Sequence, residues 1–213
     1  MGFNNHYNKI YFDWQKDIGE FGGQINMDKF KGSIEEKHNV IDFGCGGGYL
    51  LKNIKCTGKI GIEINDEALK VARKNSIAVF KTVDEVEDNW ADVIISNNAL
   101  EHTINPLSEL KKLNKKLKKS GKIVFVVPCE SISYKYKSND INRHLYSWSP
   151  MALGNLFNEA GFRVNEVKPY LHKWPPKYKL IYKLFGNRIF NIFCRIYARI
   201  ENSWYQVKII AEK

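Results

Sequence analysis

Short, β-branched and nearly all-apolar runs recur through the middle of the chain, at 39–43, 59–64, 77–80, 91–96 and 122–127. Runs of this kind are strands covered on both faces. Stretches with helical spacing lie between them, near 48–54, 66–75 and 106–119. In the last, Leu107, Leu110, Leu113 and Leu117 keep one face, and the lysines occupy the solvated one. Ser120-Gly121 ends it. The alternation predicts a doubly wound α/β fold, a Rossmann-like parallel sheet. After the fifth strand the rhythm changes. A polar, aromatic loop covers 128–149, and Ser149-Pro150 opens a helix that closes at Ala160-Gly161. A strand at 162–167, an insertion at 169–203 and a seventh strand at 204–211 follow. Upstream, 7–38 reads as a helical cap anchored by Tyr7, Tyr11, Phe12, Trp14, Phe21 and Phe30, and broken at Gly19, Gly22 and Gly23.

The first strand ends in Val40-Ile41-Asp42-Phe43, and Gly44-Cys45-Gly46-Gly47-Gly48-Tyr49 follows. This strand–turn–helix lets a ligand touch the backbone. The acid directly before the glycines favours a ligand with positive charge near the turn, an ammonium or a sulfonium. The competing reading is a dinucleotide turn, G-x-G-x-x-G. Gly44 and Gly46 fit its first two positions, but the third falls on Tyr49, and Asp42 would repel a pyrophosphate. A tight turn holding no ligand is the third reading.

Composition narrows the picture. At 213 residues the default is a single domain, 1–213. It divides into a cap (1–38), a cofactor-binding half (39–127) and a substrate-side half (128–213). Cys45, Cys56, Cys129 and Cys194 form no C-x-x-C pair and no zinc spacing, which fits reduced thiols and a cytoplasmic protein. The first ten residues lack a signal-peptide core, and His6 stands where N-myristoylation expects Ser or Thr. The net charge is +10, and 168–213 carries ten Lys/Arg against Glu201 and Glu212. Such a basic tail attracts polyanions or simply aids solubility.

In these residues the chain resembles the class I S-adenosylmethionine-dependent methyltransferases, small-molecule branch, from about residue 38 onward. Asp42-Phe43-Gly44-Cys45-Gly46-Gly47-Gly48 matches the first motif of that family. Glu63 ends the second strand where the family holds the ribose hydroxyls. The run 91–102, ending Leu100-Glu101-His102, resembles its fourth-strand motif. Asn142-Arg143-His144-Leu145-Tyr146-Ser147-Trp148-Ser149-Pro150 resembles the segment before its next helix. The resemblance implies strand order 3-2-1-4-5-7-6 with strand 7 antiparallel, and S-adenosyl-L-methionine as cofactor, leaving as S-adenosyl-L-homocysteine. It implies a cofactor site at Asp42, Gly44, Cys45, Gly46, Glu63, Ile64, Thr82, Val83, Asn97 and His102. Family members often hold the adenine amine with an Asp after strand 3; here Asp84 fits loosely, and backbone at Thr82-Val83 is the alternative.

A methyl sulfonium is already activated, so alignment of the acceptor supplies much of the rate. A hydroxyl acceptor benefits from a base, and His102 and His144 are the candidates, on loops at the carboxyl edge of the sheet. His102 alternatively shapes the cofactor pocket. Arg143 and Tyr146 are the candidate substrate-binding residues, although Arg143 could instead pair with a carboxylate. Glu101 and His102 could ligand a metal; Asn98 weighs against it, and no metal is expected. Cys129 reads as an ordinary thiol. No Asn/Asp-Pro-Pro-Tyr/Phe follows the fourth strand, so nucleic acid is not expected as a partner.

In the insertion, Ile189, Phe193, Ile196 and Ile200 share a helical face among interleaved basic and aromatic residues. That face reads as core or a homodimer surface, as a substrate lid, or as a peripheral membrane contact through 174–200. The function expected is methyl transfer to a small-molecule hydroxyl, most simply on a sugar or polysaccharide precursor. The alternatives are a quinone or aromatic O-methyltransferase, a non-catalytic adenosylhomocysteine-binding scaffold, and a nucleotide-cofactor oxidoreductase.

Overall fold

The computed structural model describes residues 9–213. Tyr7 and the residue-6 position of the lipidation reading lie outside them. The elements, in chain order, are α1 (Lys9–Ile25), α2 (Met27–Phe30), β1 (Asn39–Phe43), α3 (Tyr49–Asn53), β2 (Gly58–Ile62), α4 (Asp66–Lys74) and β3 (Ala78–Phe80). Then come β4 (Ala91–Asn97), α5 (Pro106–Lys116), β5 (Leu117–Glu130), α6 (Pro150–Glu159), β6 (Arg163–Tyr170), α7 (Tyr178–Ile200) and β7 (Trp204–Glu212). The seven strands form one sheet in the order β3-β2-β1-β4-β5-β7-β6. β7 runs antiparallel between β5 and β6, and the other neighbours are parallel.

The apolar runs are explained by the pleat. Successive side chains point to opposite faces, and both faces are covered. Ile41, Ile94, Ile123 and Phe125 pack with Leu110 and Leu113 of α5 and Phe157 of α6. Their neighbours Val40, Val93, Ile95 and Val124 pack on the other side with Leu50 and Leu51 of α3 and Leu69 of α4. The helix starts follow from local chemistry. Asn65 caps α4, while Asn105-Pro106 and Ser149-Pro150 open α5 and α6, each cap oxygen accepting a backbone N–H.

Three expectations shift. α1 runs through Gly19, Gly22 and Gly23 unbroken. Those glycines let it lie close against α3, since a Cβ on Gly23 would stand 2.6 Å from the Tyr49 carbonyl oxygen and one on Gly19 would meet the Tyr49 ring at 3.0 Å. α5 ends at Lys116 rather than at 119, because Leu117 pairs with Ala91 and already belongs to the sheet. The insertion is largely one helix, α7, with a kink at Gly186 (φ 68°, ψ 179°). Phe190, Cys194 and Ala198 are its buried face, and Ile189, Phe193, Ile196 and Ile200 are exposed, so the core reading of those four fails.

Candidate functional site

Two adjoining cavities open at the carboxyl ends of β1, β2 and β4, of about 380 and 290 Å³. Tyr11, Gln15, Asn98 and His102 line both. This is where an open α/β sheet receives ligands, beside its topological switch point.

The larger cavity is built on the glycine turn. Gly44 takes φ +75°, and a Cβ there would stand 2.2 Å from the Ala99 Cβ, so the turn backbone and the strand-4 loop meet without a side chain between them. The Gly44 and Cys45 amides donate to the Ile62 carbonyl, which ties the turn to β2. Directly after β2, Glu63 accepts from the Gly46 amide at 2.9 Å and the Asn65 amide at 2.8 Å. Burial raises its carboxyl pKa, and these backbone donors pull it back. Each oxygen keeps a lone pair for a further donor, the arrangement a ribose diol requires. Ile64, 51% exposed, and Ile104, 67% exposed, supply apolar surface. Thr82 and Val83 complete that wall, where Glu85 accepts from the Lys81 and Thr82 amides and fixes the turn. These groups fit an adenosyl sulfonium: a side-chain-free turn, a keyed carboxylate and an apolar slot.

The remaining expected residues divide. Gly44, Glu63, Ile64, Thr82, Val83 and His102 line the larger cavity, and His144 the smaller. Asp42 and Cys45 are buried, in contact with the wall residues rather than forming it. Burial pushes the Asp42 carboxyl and the Cys45 thiol well above their ordinary values, with the Glu63 charge adding to both shifts. Gly46 acts through Glu63. Asn97 points away and accepts from Lys29 Nζ at 2.7 Å; the wall residue is its neighbour Asn98, held at φ +54° and accepting from Gln206. Arg143 is exposed at φ +48° and lines neither cavity. Tyr146 donates to the Ile104 carbonyl at 2.9 Å and stacks on Trp148, so it braces the loop over the larger cavity rather than lining either. Asp84 pairs with Lys112 and also lies outside the walls. Cys129 is a thiol raised by burial, not a thiolate.

The smaller cavity is lined by Tyr11, Trp14, Tyr134 and Trp204, with Glu130, His102 and His144 among them. The His102 and His144 rings sit edge to face, 5.0 Å between centroids. His144 Nδ1 is 2.7 Å from Glu130 Oε1. Beneath the two imidazoles lies Glu101, fully buried, with Oε1 3.8 Å from His102 Nε2 and 4.0 Å from His144 Nε2. Neither Glu101 oxygen has a hydrogen-bond partner among the described residues. Burial, helped by the Glu130 charge, pushes its carboxyl up to about 8, against the opposing charge of Lys29. Burial in turn lowers Lys29 to about 7. Glu101, His102 and His144 bring three ligand atoms within 4.8 Å of one another, a set able to hold a cation where the sequence reading expected none. Glu130 and Lys29 went unread in the sequence, and Tyr11 and Trp204 were read as a cap anchor and a strand start rather than as cavity walls. Each stands far from the motifs, and only the sheet order and the cap bring them together.

A family model described as "Methyltransferase domain" matches residues 24–167, more than half of the chain. A protein of Hydrogenovibrio crunogenus named "Ubiquinone biosynthesis O-methyltransferase" is 28% identical over 153 residues, 63% of this chain and 61% of that protein. One of the same name from Nitrosospira multiformis is 25% identical over 191 residues, 76% and 80% of the two chains. The match thus leaves over a third of the Hydrogenovibrio relative's length uncovered. Among solved structures, a SAM-dependent methyltransferase of Archaeoglobus fulgidus superposes with TM-score 0.63 at 21% identity, covering 95% of this chain and 99% of that one. One of Thermotoga maritima, titled a possible histamine N-methyltransferase, gives 0.64 at 16%, covering 93% of each. These two likenesses speak for the fold alone.

Proposed function

Because the chain belongs to the methyltransferase-domain family of class I S-adenosylmethionine-dependent enzymes, we propose that it methylates a hydroxyl on a small aromatic ring, of the kind found in quinone precursors. The observation that carries this reading is the smaller cavity. Tyr11, Trp14, Tyr134 and Trp204 line an opening that also holds two imidazoles. Aromatic walls suit a flat, apolar acceptor better than a sugar. The names of the relatives favour the quinone reading and lend nothing to the sugar one.

When bound, S-adenosylmethionine supplies a methyl group already activated on sulfur. In this reading Glu63 holds the ribose end, Gly44 admits the donor close to the backbone, and Ile64, Thr82 and Val83 flank the base. His144 does the proton work. Its Nδ1–H donates to Glu130, which sets the tautomer and leaves Nε2, 4.0 Å from the buried Glu101 Oε1, as the free acceptor of a ring that lines the cavity. A phenol placed there loses its proton to Nε2 as its oxygen develops nucleophilicity. His102, shared by both cavities, positions the acceptor against the donor side.

A second reading is favoured by the unsatisfied Glu101. A divalent cation held by Glu101, His102 and His144 would lower the pKa of a bound hydroxyl. One experiment separates them. The purified chain is incubated with S-adenosylmethionine and a panel of dihydroxybenzenes, prenylated phenols and nucleotide sugars, and product is followed by mass spectrometry, with and without chelator. Methylated phenol that survives chelator treatment supports the His144 base. Loss restored by added Mg²⁺, Mn²⁺ or Zn²⁺ supports the cation. Turnover of the sugars alone, or cofactor binding without turnover of any acceptor, overturns the proposal.

A further inference from the structure

We propose that the outer face of α7 docks on an anionic lipid bilayer, with the helix lying in the plane of the headgroups. This stands apart from the acceptor reading and rests on the helix alone. Beyond the kink at Gly186, Phe190, Cys194 and Ala198 are fully buried. At 100° per residue, Ile189, Ile192, Phe193, Ile196 and Ile200 fall in one arc on the opposite side, and each is 42–73% exposed. Arg188, Arg195 and Arg199 run in a row along one flank of that arc. Before the kink the pattern repeats, with Leu180 and Leu184 exposed beside Lys179 and Lys183. The Phe185 and Phe193 rings, 6.1 Å apart, carry the apolar stripe across the bend.

The stripe is not a face waiting to fold inward. The inner side of α7 is already tied down. His172 Nε2 lies 2.7 Å from Asn191 Oδ1, Asn191 donates to Asp28 at 2.9 Å, and the Lys173 amide donates to the Cys194 carbonyl at 3.2 Å. What remains outside is apolar surface that water meets.

Charge selects the occupant. From Tyr178 to Ile200 the helix has five Lys/Arg and no acidic residue. A second copy meeting this face about a two-fold axis would oppose arginine rows with nothing acidic on the helix to receive them. An anionic headgroup layer receives them directly. The isoleucines enter the acyl boundary, and the arginine stems lie along it with their guanidiniums among phosphates. Among the described residues no helix is long and apolar enough to cross a membrane, which agrees with a helix lying along the surface.

The test uses the full chain sedimented with vesicles of phosphatidylcholine alone or mixed with phosphatidylglycerol. The wild type pellets with the mixed vesicles and remains in the supernatant with phosphatidylcholine. The double variants Ile192→Glu/Ile196→Glu and Arg188→Glu/Arg199→Glu each weaken that binding by about tenfold or more, with melting temperature and adenosylhomocysteine binding unchanged. If the first pair lowers the melting temperature, Leu184→Glu/Ile200→Glu replaces it, since both side chains are more than half exposed. Three results overturn the proposal. Equal partitioning to both vesicle types is one. Loss of binding in the arginine variant with none in the isoleucine variant is another, since it reduces the effect to a basic protein near a negative surface. The third is a dimer in light scattering that the isoleucine variant converts to monomer while neither binds vesicles.

Discussion

Replacing Gly44 by alanine should damage the protein in two separable ways. The residue sits at φ +75°, where a Cβ is strained against its own backbone, a cost of about 1–2 kcal/mol. The new methyl also lands 2.2 Å from the Ala99 Cβ, and relieving such an overlap inside a packed site costs about 1–3 kcal/mol. Gly44→Ala is therefore expected to lose about 2–5 kcal/mol, with the melting temperature falling by roughly 2–4 °C per kcal/mol in a chain of this size. Ala99→Gly alone should cost no more than about 1 kcal/mol. In the double variant the overlap is gone, because the next atom of residue 99, its Cα, is 3.6 Å away. The backbone strain stays. A double-mutant cycle should thus recover about 1–3 kcal/mol of coupling. Urea unfolding followed by tryptophan fluorescence on the four proteins measures it. Additivity within about 0.5 kcal/mol would refute the claim that the turn and the strand-4 loop meet at this contact.

Other consequences are as concrete. Glu63→Ala should weaken adenosylhomocysteine binding by about 10- to 100-fold in calorimetry, the worth of hydrogen bonds to a charged group, and unchanged affinity would remove Glu63 from the site. His144→Ala should lower kcat by about 10²- to 10⁴-fold while leaving cofactor affinity intact, and Glu130→Gln should move kcat in the same direction. Lys173 Nζ donates to the Glu201 carbonyl at 2.6 Å and pairs with its carboxylate, holding that carboxyl down at about 2 from the ordinary 4.5. A depressed folded value means the stabilisation is complete above the unfolded pKa and fades as pH falls toward 2. Glu201→Gln should lower the melting temperature near neutrality and converge on wild type at the acid end; a constant difference across pH would contradict the pair.

The cofactor half was legible because its signals are local. A strand of Val40-Ile41 type, a glycine turn and an acid one strand–helix–strand step later dictate geometry within a few residues of themselves, and Gly44 and Glu63 stand where their spacing placed them. The sheet order came with the resemblance, while the pleat accounts for the apolar runs rather than for the order. The acceptor side was harder. His102 and His144 were readable as loop histidines, but Glu130 ends a fifth strand longer than its apolar run, and its partnership with His144 depends on how the 131–147 loop returns. Arg143 and Tyr146 share the motif of His144, yet one faces solvent and the other braces Ile104, because neighbours in a loop need not point the same way. The glycines of α1 were read as breaks, whereas they mark a close helix approach. That distinction depends on Tyr49, which lies outside the helix.

The smaller cavity is assembled from opposite stretches of the chain, with Tyr11, Trp14 and Ile18 contributed by α1 and Trp204 by β7. Every wall of the larger cavity lies at or before Lys112, whereas Tyr134, His144 and Trp204 emerge from the ribosome later, so the smaller cavity is the last part of the cleft to gain its full lining.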